Sequence, residues 1–216
     1  MRILIIGAGK VGSSVAGNLV SESNDITIVD TNKAKIAEIQ SNYDLQGIVG
    51  DATSPSVLAD AGAVDADMII AVTANDETNL AVTLIAEQLF NVPSRIARVR
   101  NDELREYPAL LSTSGFRATS VIWPEEAITN YIVQLITYPE ALQVIEFSDG
   151  DVVLMSVKIV SSSKMCGRPV SALQDELPRV KVQIVSIYRQ KYRLDDIDGK
   201  TVLEAGDEIF FLTTKT

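Results

Sequence analysis

Three glycines constrain the opening of the chain more than anything else in it. Gly7, Gly9 and Gly12 follow the short apolar run RILII (2–6) and lead into KVGSSVAGNLVSE, whose spacing is helical. A second β-branched run, ITIVD (26–30), ends in Asp30. A G-x-G-x-x-G pattern is weak by itself, but between a strand and a helix each glycine acquires a task. Gly7 permits the tight turn, Gly9 lets the backbone approach a pyrophosphate, and Gly12 lets the helix pack on the sheet. Phosphates would be held by amide hydrogens at the helix N-terminus, helped by its positive dipole. Asp30 follows at close to the roughly 20-residue spacing of a ribose-binding acid. Its carboxylate can accept from both ribose hydroxyls and repels a 2′-phosphate, which favours NAD over NADP. A phosphate-binding P-loop needs Lys then Ser or Thr directly after its second glycine; Ser13 occupies the lysine position, so phosphoryl transfer is disfavoured.

The rhythm continues through about residue 135. Runs at 2–6, 26–30, 45–49, 68–73, 95–99 and 118–122 alternate with helical stretches, including NKAKIAEIQSNY, SPSVLADAG, NDETNLAVTLIAEQLF and DELREYPALLSTSG. Nearly continuous apolar strands separated by helices predict a parallel sheet covered on both faces, doubly wound by right-handed crossovers. Ligands of such sheets sit outside the carboxyl ends of the strands. Asp51 and Ala52 are therefore expected on the adenine side, and Thr73 and Ala74 beside the pyrophosphate or second ribose. Arg98 and Arg100 share a face; each could meet a phosphate bidentately, or form an ion pair with Asp76, Asp102 or Glu103.

Trp123–Pro124 with Glu125 and Glu126 starts a further helix that Pro139 ends. Ala127, Ile128, Tyr131, Ile132, Leu135 and Ile136 line one side of it, a stripe suited equally to packing within the chain and to a subunit contact. Beyond it, LQVIEF, VVLMSVKI, VQIVSIYR and EIFFLTT, with turns at Asp149–Gly150, Asp198–Gly199 and Ala205–Gly206–Asp207, predict antiparallel pairing around one short helix, PVSALQDEL. The expected architecture is α/β: a Rossmann-type doubly wound parallel sheet over 1–122, a crossover helix over 123–140, and a second, small α+β domain over 141–216.

Composition narrows the function. With 19 basic and 29 acidic residues the net charge is −10, which argues against a nucleic-acid partner or an anionic membrane surface. The opening apolar run, ILIIGAG, is far short of the roughly 20 residues of a membrane span. One cysteine, Cys166, allows no internal disulfide and suits a reducing cytoplasm. Histidine is absent, which removes the commonest general base and the commonest metal ligand; no metal site is expected. A dinucleotide site invites a dehydrogenase reading, but hydride transfer needs a proton-transfer partner. No tyrosine is followed four residues on by lysine, and the small domain offers no cluster of acids, bases or nucleophiles. The alternatives are a binding module whose ligand is a signal, and an NAD-dependent oxidoreductase with an unidentified proton-transfer group. We expect the first, with no catalytic residue.

The segments MRILIIGAGKVGSSVAGNLV, NDITIVDTNKAKIAEIQ, GDATSPSVLADAGAVDADMIIAVTANDETNLAV and RIARVR together resemble the TrkA-like potassium-uptake regulators, within the wider group of regulators of potassium conductance, or RCK proteins. The tail SALQDELPRVKVQIVSIYR…DGKTVLEAGDEIFFL resembles their C-terminal domain. The resemblance implies a non-enzymatic cytoplasmic subunit, peripheral at the inner face of the membrane through its partner, that binds NAD(H) or ATP/ADP. It implies assembly as a homo-oligomer, dimers building a ring, beneath a membrane potassium-translocating subunit that it gates. It assigns Gly7, Ala8, Gly9, Lys10 and Val11 to the phosphates, Asp30 to the ribose, Thr73 and Ala74 to the crevice wall and Arg98 to a phosphate, with Asp51 and Ala52 near the base. It matches the helix at 125–136 to the crossover helix through which such domains pair. Proteins of this group usually carry two such units in tandem; this chain has one, which leaves a single-unit relative or the N-terminal half of a longer protein, and the wording of TYPEALQVIEFSDGDV leans to the second.

Overall fold

Strand β1 (Arg2–Ile6) is apolar after its first residue because both of its faces are covered. The computed structural model describes the whole chain except residues 21, 23, 113, 148–150, 177–180 and 215–216, and the side chains of 174 and 176. The expected Asp149–Gly150 turn lies outside the described residues. The chain divides into two compact units, Met1–Ile128 and Thr129–Thr216.

In the first unit β1 is followed by α1 (Lys10–Val20), β2 (Asp25–Asp30), α2 (Lys33–Asn42), β3 (Gln46–Val49), α3 (Pro55–Asp60), β4 (Met68–Ala71), α4 (Asp76–Phe90), β5 (Ser94–Arg98), α5 (Pro108–Leu111) and β6 (Ser120–Ile122). The strands form one parallel sheet in the order β3-β2-β1-β4-β5-β6, the doubly wound arrangement the sequence predicts. Alternation sends successive side chains of β1 to opposite faces. Leu4 and Ile6 pack with Leu58, Val82 and Ala86 of α3 and α4, whereas Ile3 and Ile5 pack with Ala16, Ile36 and Ile39 of α1 and α2. Full burial of one such isoleucine contributes about 1.5–3 kcal/mol.

Local signals set the helix ends. The Asn32 side chain caps α2 by accepting from the Ala34 and Lys35 amides, and Asn75 caps α4 by accepting from the Thr78 N–H at 2.6 Å. The stretch 102–115, expected as one helix, is instead a 3₁₀ turn, Asp102–Glu106, followed by the single turn of α5. Pro108 is the cause: it has no N–H to donate back into the preceding turn, and its ring biases Tyr107 away from helical geometry.

Helix α6 (Pro124–Thr137) spans the boundary between the units and contains no buried residue. In the second unit β7 (Ala141–Phe147), β8 (Val152–Lys158), β9 (Val182–Arg189), β10 (Tyr192–Arg193) and β11 (Glu208–Thr214) form an antiparallel sheet in the order β10-β9-β11-β8-β7, with α7 (Ala172–Glu176) between β8 and β9. Ile159, Ile187, Leu203 and Ile209 form its core. Strand β10 was not expected. Gln190 and Lys191, both at positive φ (50° and 72°), make the two-residue hairpin that creates it, without the Asn-Gly signature such turns usually carry. Among the described residues, no helix is long and apolar enough to cross a membrane.

One polar cluster ties β9 to β11. Asp207 is fully buried; it accepts from Arg189 Nε at 2.9 Å, Arg189 Nη2 at 2.8 Å and the Glu204 N–H at 2.8 Å. Burial works to raise its carboxyl, but the bonds from Arg189 and Glu204 and the arginine charge prevail and hold it below the ordinary carboxylate value. Its contribution to stability is therefore complete above about pH 4 and lost as pH falls through the depressed folded value. Asp207→Asn should cost about 3 kcal/mol at neutral pH. Urea unfolding of both proteins at pH 7 and in the acid range should show the gap between them narrowing as pH falls.

Candidate functional site

The sheet order reverses between β1 and β4, and a crevice opens where the chain leaves these strands in opposite directions. Its volume is about 640 Å³, and its walls are the loops after β1, β2, β3, β4 and β5.

The glycine loop forms the first wall. Gly7 has φ of 103°, and its N–H donates to the Val29 carbonyl at 2.7 Å. A Cβ there would lie 3.1 Å from the Thr73 backbone, so both conformation and space require glycine. A Cβ on Gly12 would come within 1.8 Å of the Gly7 carbonyl oxygen, against 3.5 Å from Ile5. The tightest constraint on Gly12 is thus the folded-back loop rather than the sheet. Gly9 differs: a Cβ would meet nothing within 4 Å. The missing side chain serves no internal contact and leaves open space at the head of α1, where a helix's first N–H groups have no acceptor within the helix.

Asp30 closes the β2 side. Its Oδ2 accepts from the Ala8 N–H at 2.7 Å and its Oδ1 from the Asn32 N–H at 2.8 Å. Each oxygen keeps a second acceptor position, oriented by these bonds. The Ala8 amide is thereby committed to Asp30, and Ala8 lines a smaller cleft on the other side of the loop, between α1 and α2. The other residues assigned from sequence gather in one place: Gly7, Gly9, Lys10 and Val11 from the first loop, Asp30, then Asp51 and Ala52 after β3, Thr73 and Ala74 after β4, and Arg98 at the end of β5. Asp51 uses Oδ1 to accept from both the Thr53 N–H at 2.9 Å and the Thr53 hydroxyl at 2.8 Å, which lowers its carboxyl below the usual value.

Arg98 is the most buried cation of the wall, 7% exposed. Its Nη2 donates to the Thr73 carbonyl, and its Nε has no partner among the described residues. Burial pulls its guanidinium below the ordinary arginine value, with the Arg100 charge acting the same way and Asp76 and Glu125 opposing; it stays protonated near neutrality. Of the carboxylates considered as ion-pair partners, Asp102 is engaged elsewhere, whereas Asp76 is bonded through Oδ2 only and its buried Oδ1 has no hydrogen-bond partner among the described residues. Asp76 Oδ2 accepts from the Arg100 and Asn101 N–H groups at 2.8 and 2.9 Å, and Asp102 pairs with Arg105 at 3.3 Å. Arg98 lines the same crevice as the loop at the head of α1, and a guanidinium in that wall fits an anionic ligand such as the phosphates of a nucleotide.

Sequence reading missed several residues here. Lys35 lines the crevice from the first turn of α2 and Thr78 from that of α4; each could have been found by projecting a helix from its asparagine cap. Asn79, fully buried in α4, holds Thr73 through its side-chain oxygen. Its signal was an amide among apolar neighbours in NLAV.

The TrkA-N domain family matches residues 3–124 and the TrkA-C domain family residues 154–216. The chain is 45% identical over 213 residues to the Trk system potassium uptake protein TrkA of Vibrio alginolyticus, covering 98% of this chain and 46% of that protein. The chain spans about half the length of this relative. A solved structure described as the GsuK channel bound to NAD superposes with a TM-score of 0.64 at 18% identity, covering 99% of this chain and 37% of that one. The GsuK bound to ADP superposes with a TM-score of 0.53 at 21% identity, covering 64% of this chain and 35% of that one. At these identities the two structures establish a shared fold.

The glycine geometry makes a graded prediction. Gly12→Ala should lower stability by about 1–3 kcal/mol or more, because the methyl group forces the loop apart. Gly9→Ala, with open space around it, should shift stability by no more than about 0.5 kcal/mol. Thermal unfolding of the two variants checks the order.

Proposed function

The chain belongs to the TrkA family, with its TrkA-N and TrkA-C domains, and from that premise we propose that it is a regulatory unit of potassium uptake controlled by a nucleotide in the crevice. The ligand is NAD(H), or an adenine mononucleotide such as ADP or ATP. The observation that carries this reading is the open space at Gly9, at the head of α1 and at the point where the sheet order reverses, with an oriented Asp30 carboxylate on one side and the buried Arg98 guanidinium on the other. The helix terminus and Arg98 supply donors and positive charge for phosphates, and Asp30 supplies acceptors for ribose hydroxyls. The NAD and the ADP of the two GsuK structures support the choice of ligand class.

We assign 1–122 to nucleotide binding, 123–140 to the crossover helix and 141–216 to the small domain. Binding is the output, without turnover, a reading supported by a sequence with no histidine and no tyrosine followed four residues on by lysine. The partner is a membrane potassium-translocating subunit, which places the chain in the cytoplasm at the inner face of the membrane. Ile128, Tyr131, Ile132, Leu135 and Ile136 of α6 are all exposed, which supports a homo-oligomer built through that helix, dimers assembling into a ring. Occupancy would shift the balance between conformations, and the partner would read the difference.

Calorimetric titration with NAD⁺, NADH, NADP⁺, ADP and ATP tests the reading. Saturable binding is expected for ligands with a free 2′-hydroxyl, with NADP⁺ at least about tenfold weaker because its 2′-phosphate faces Asp30. Asp30→Ala should weaken binding by about 1–3 kcal/mol, and Gly9→Ala should weaken it while leaving the melting temperature in place. Absence of nucleotide binding would overturn the proposal. Reduction of NAD⁺ by an added alcohol would overturn its non-enzymatic part.

A further inference from the structure

The two walls of the crevice are joined by a residue outside the glycine motif. Asn79 Oδ1 accepts from the Thr73 N–H at 2.9 Å and from the Thr73 hydroxyl at 2.7 Å. Its Nδ2 donates to the Thr73 carbonyl at 3.2 Å and to the Arg98 carbonyl at 2.8 Å. This is the full capacity of an amide, two bonds accepted and two donated, in a residue with no exposed surface. Each partner is itself at the ligand site. Thr73 stands against Gly7, 3.1 Å from where a Cβ would be. Arg98 sends Nη2 to the Thr73 carbonyl, the same oxygen that receives the Asn79 amide. One side chain therefore holds the Thr73 turn to the end of β5 and keeps the acceptor that restrains the guanidinium.

We propose that Asn79 is a positioning residue for the bound nucleotide: it fixes Thr73 against the end of β5, so that the Arg98 guanidinium is held in the crevice wall where the ligand's anionic group arrives. The proposal rests on the nucleotide reading above. A general role in packing α4 would not require the amide to bond on both sides to crevice residues, and it would not act through Arg98. Preorganisation would: a guanidinium already held in place loses little freedom on binding, whereas a loose one must be ordered by the ligand. A buried asparagine fully satisfied by two walls of one site is also costly to replace, since any substitute leaves some of these main-chain groups without a partner.

A double-mutant cycle separates positioning from packing. ADP affinity is measured by calorimetry for the wild type, Asn79→Ala, Arg98→Lys and the double variant, with thermal unfolding of each. Arg98→Lys keeps the charge but loses the planar fork. Asn79→Ala should weaken ADP binding about tenfold or more in the wild-type background and less than about twofold in the Arg98→Lys background. If Asn79→Ala does not fold, Asn79→Asp takes its place, since it keeps the size and the accepting oxygens but cannot donate to the two carbonyls. Equal fold-losses in both backgrounds, or wild-type affinity in a folded Asn79 variant, would overturn the positioning role alone. A wild-type protein that binds neither ADP nor NAD⁺ would overturn the nucleotide reading and this inference with it.

Discussion

The N-terminal unit depends on how the chain leaves β1. A strand buried on both faces must turn within a residue or two, because its neighbours and the helices above and below occupy every other path. Gly7 makes that turn at positive φ with its N–H on the Val29 carbonyl and its missing side chain against Thr73. The loop thus packs onto the ends of β2 and β4 together. Gly12 then folds under the Gly7 carbonyl with no room for a methyl group. The start of α1, the position of Asp30 and the placement of Thr73 all follow from this turn, and the crevice is the space it leaves.

Charge adds a second layer. The chain carries a net charge of −10, yet Lys10, Lys35, Arg98 and Arg100 all line the crevice. A local positive field in an acidic protein concentrates anions at one place on its surface while the remainder repels them. Asp30 and Asp51, the two acids among the residues that line it, reduce that field without cancelling it, since four cations stand against them. Asp30 accepts from two amides and Asp51 from Thr53, so their remaining lone pairs point in set directions and select hydroxyl groups rather than bind cations at large.

Much of this was legible in the sequence because it is written in short-range signals. The parallel sheet shows in the alternation of apolar runs with helical stretches, and the first wall of the crevice in three glycines and an acid. What was hidden depends on distant contacts or on local backbone rules that the apolar pattern masks. Pro108 broke an expected helix through a local rule that the apolar spacing of 102–115 obscured. The β10 hairpin uses two non-glycine residues at positive φ, a conformation for which Gln190 and Lys191 carry no propensity signal. Ala8 belongs to the motif by position, yet its amide is committed to Asp30, a pairing across 22 residues. Asn79 reads as an ordinary polar residue in a helix until Thr73 and the end of β5 are brought beside it.

The bond between Asp30 and Ala8 also bears on how such a site can evolve. Acceptance of a 2′-phosphate requires removal of the negative charge at position 30. Even in the mildest case, an asparagine with its single side-chain oxygen, the same step would leave one of the two amides now held by Asp30, that of Ala8 or of Asn32, without its acceptor and loosen the loop on which the rest of the crevice is built. A change of ligand would then need a second, compensating substitution to satisfy that amide, and the intermediate with only the first would be the less stable protein. Under the proposed nucleotide reading, ligand preference and loop integrity would be inherited together, which would make that preference resistant to drift one mutation at a time.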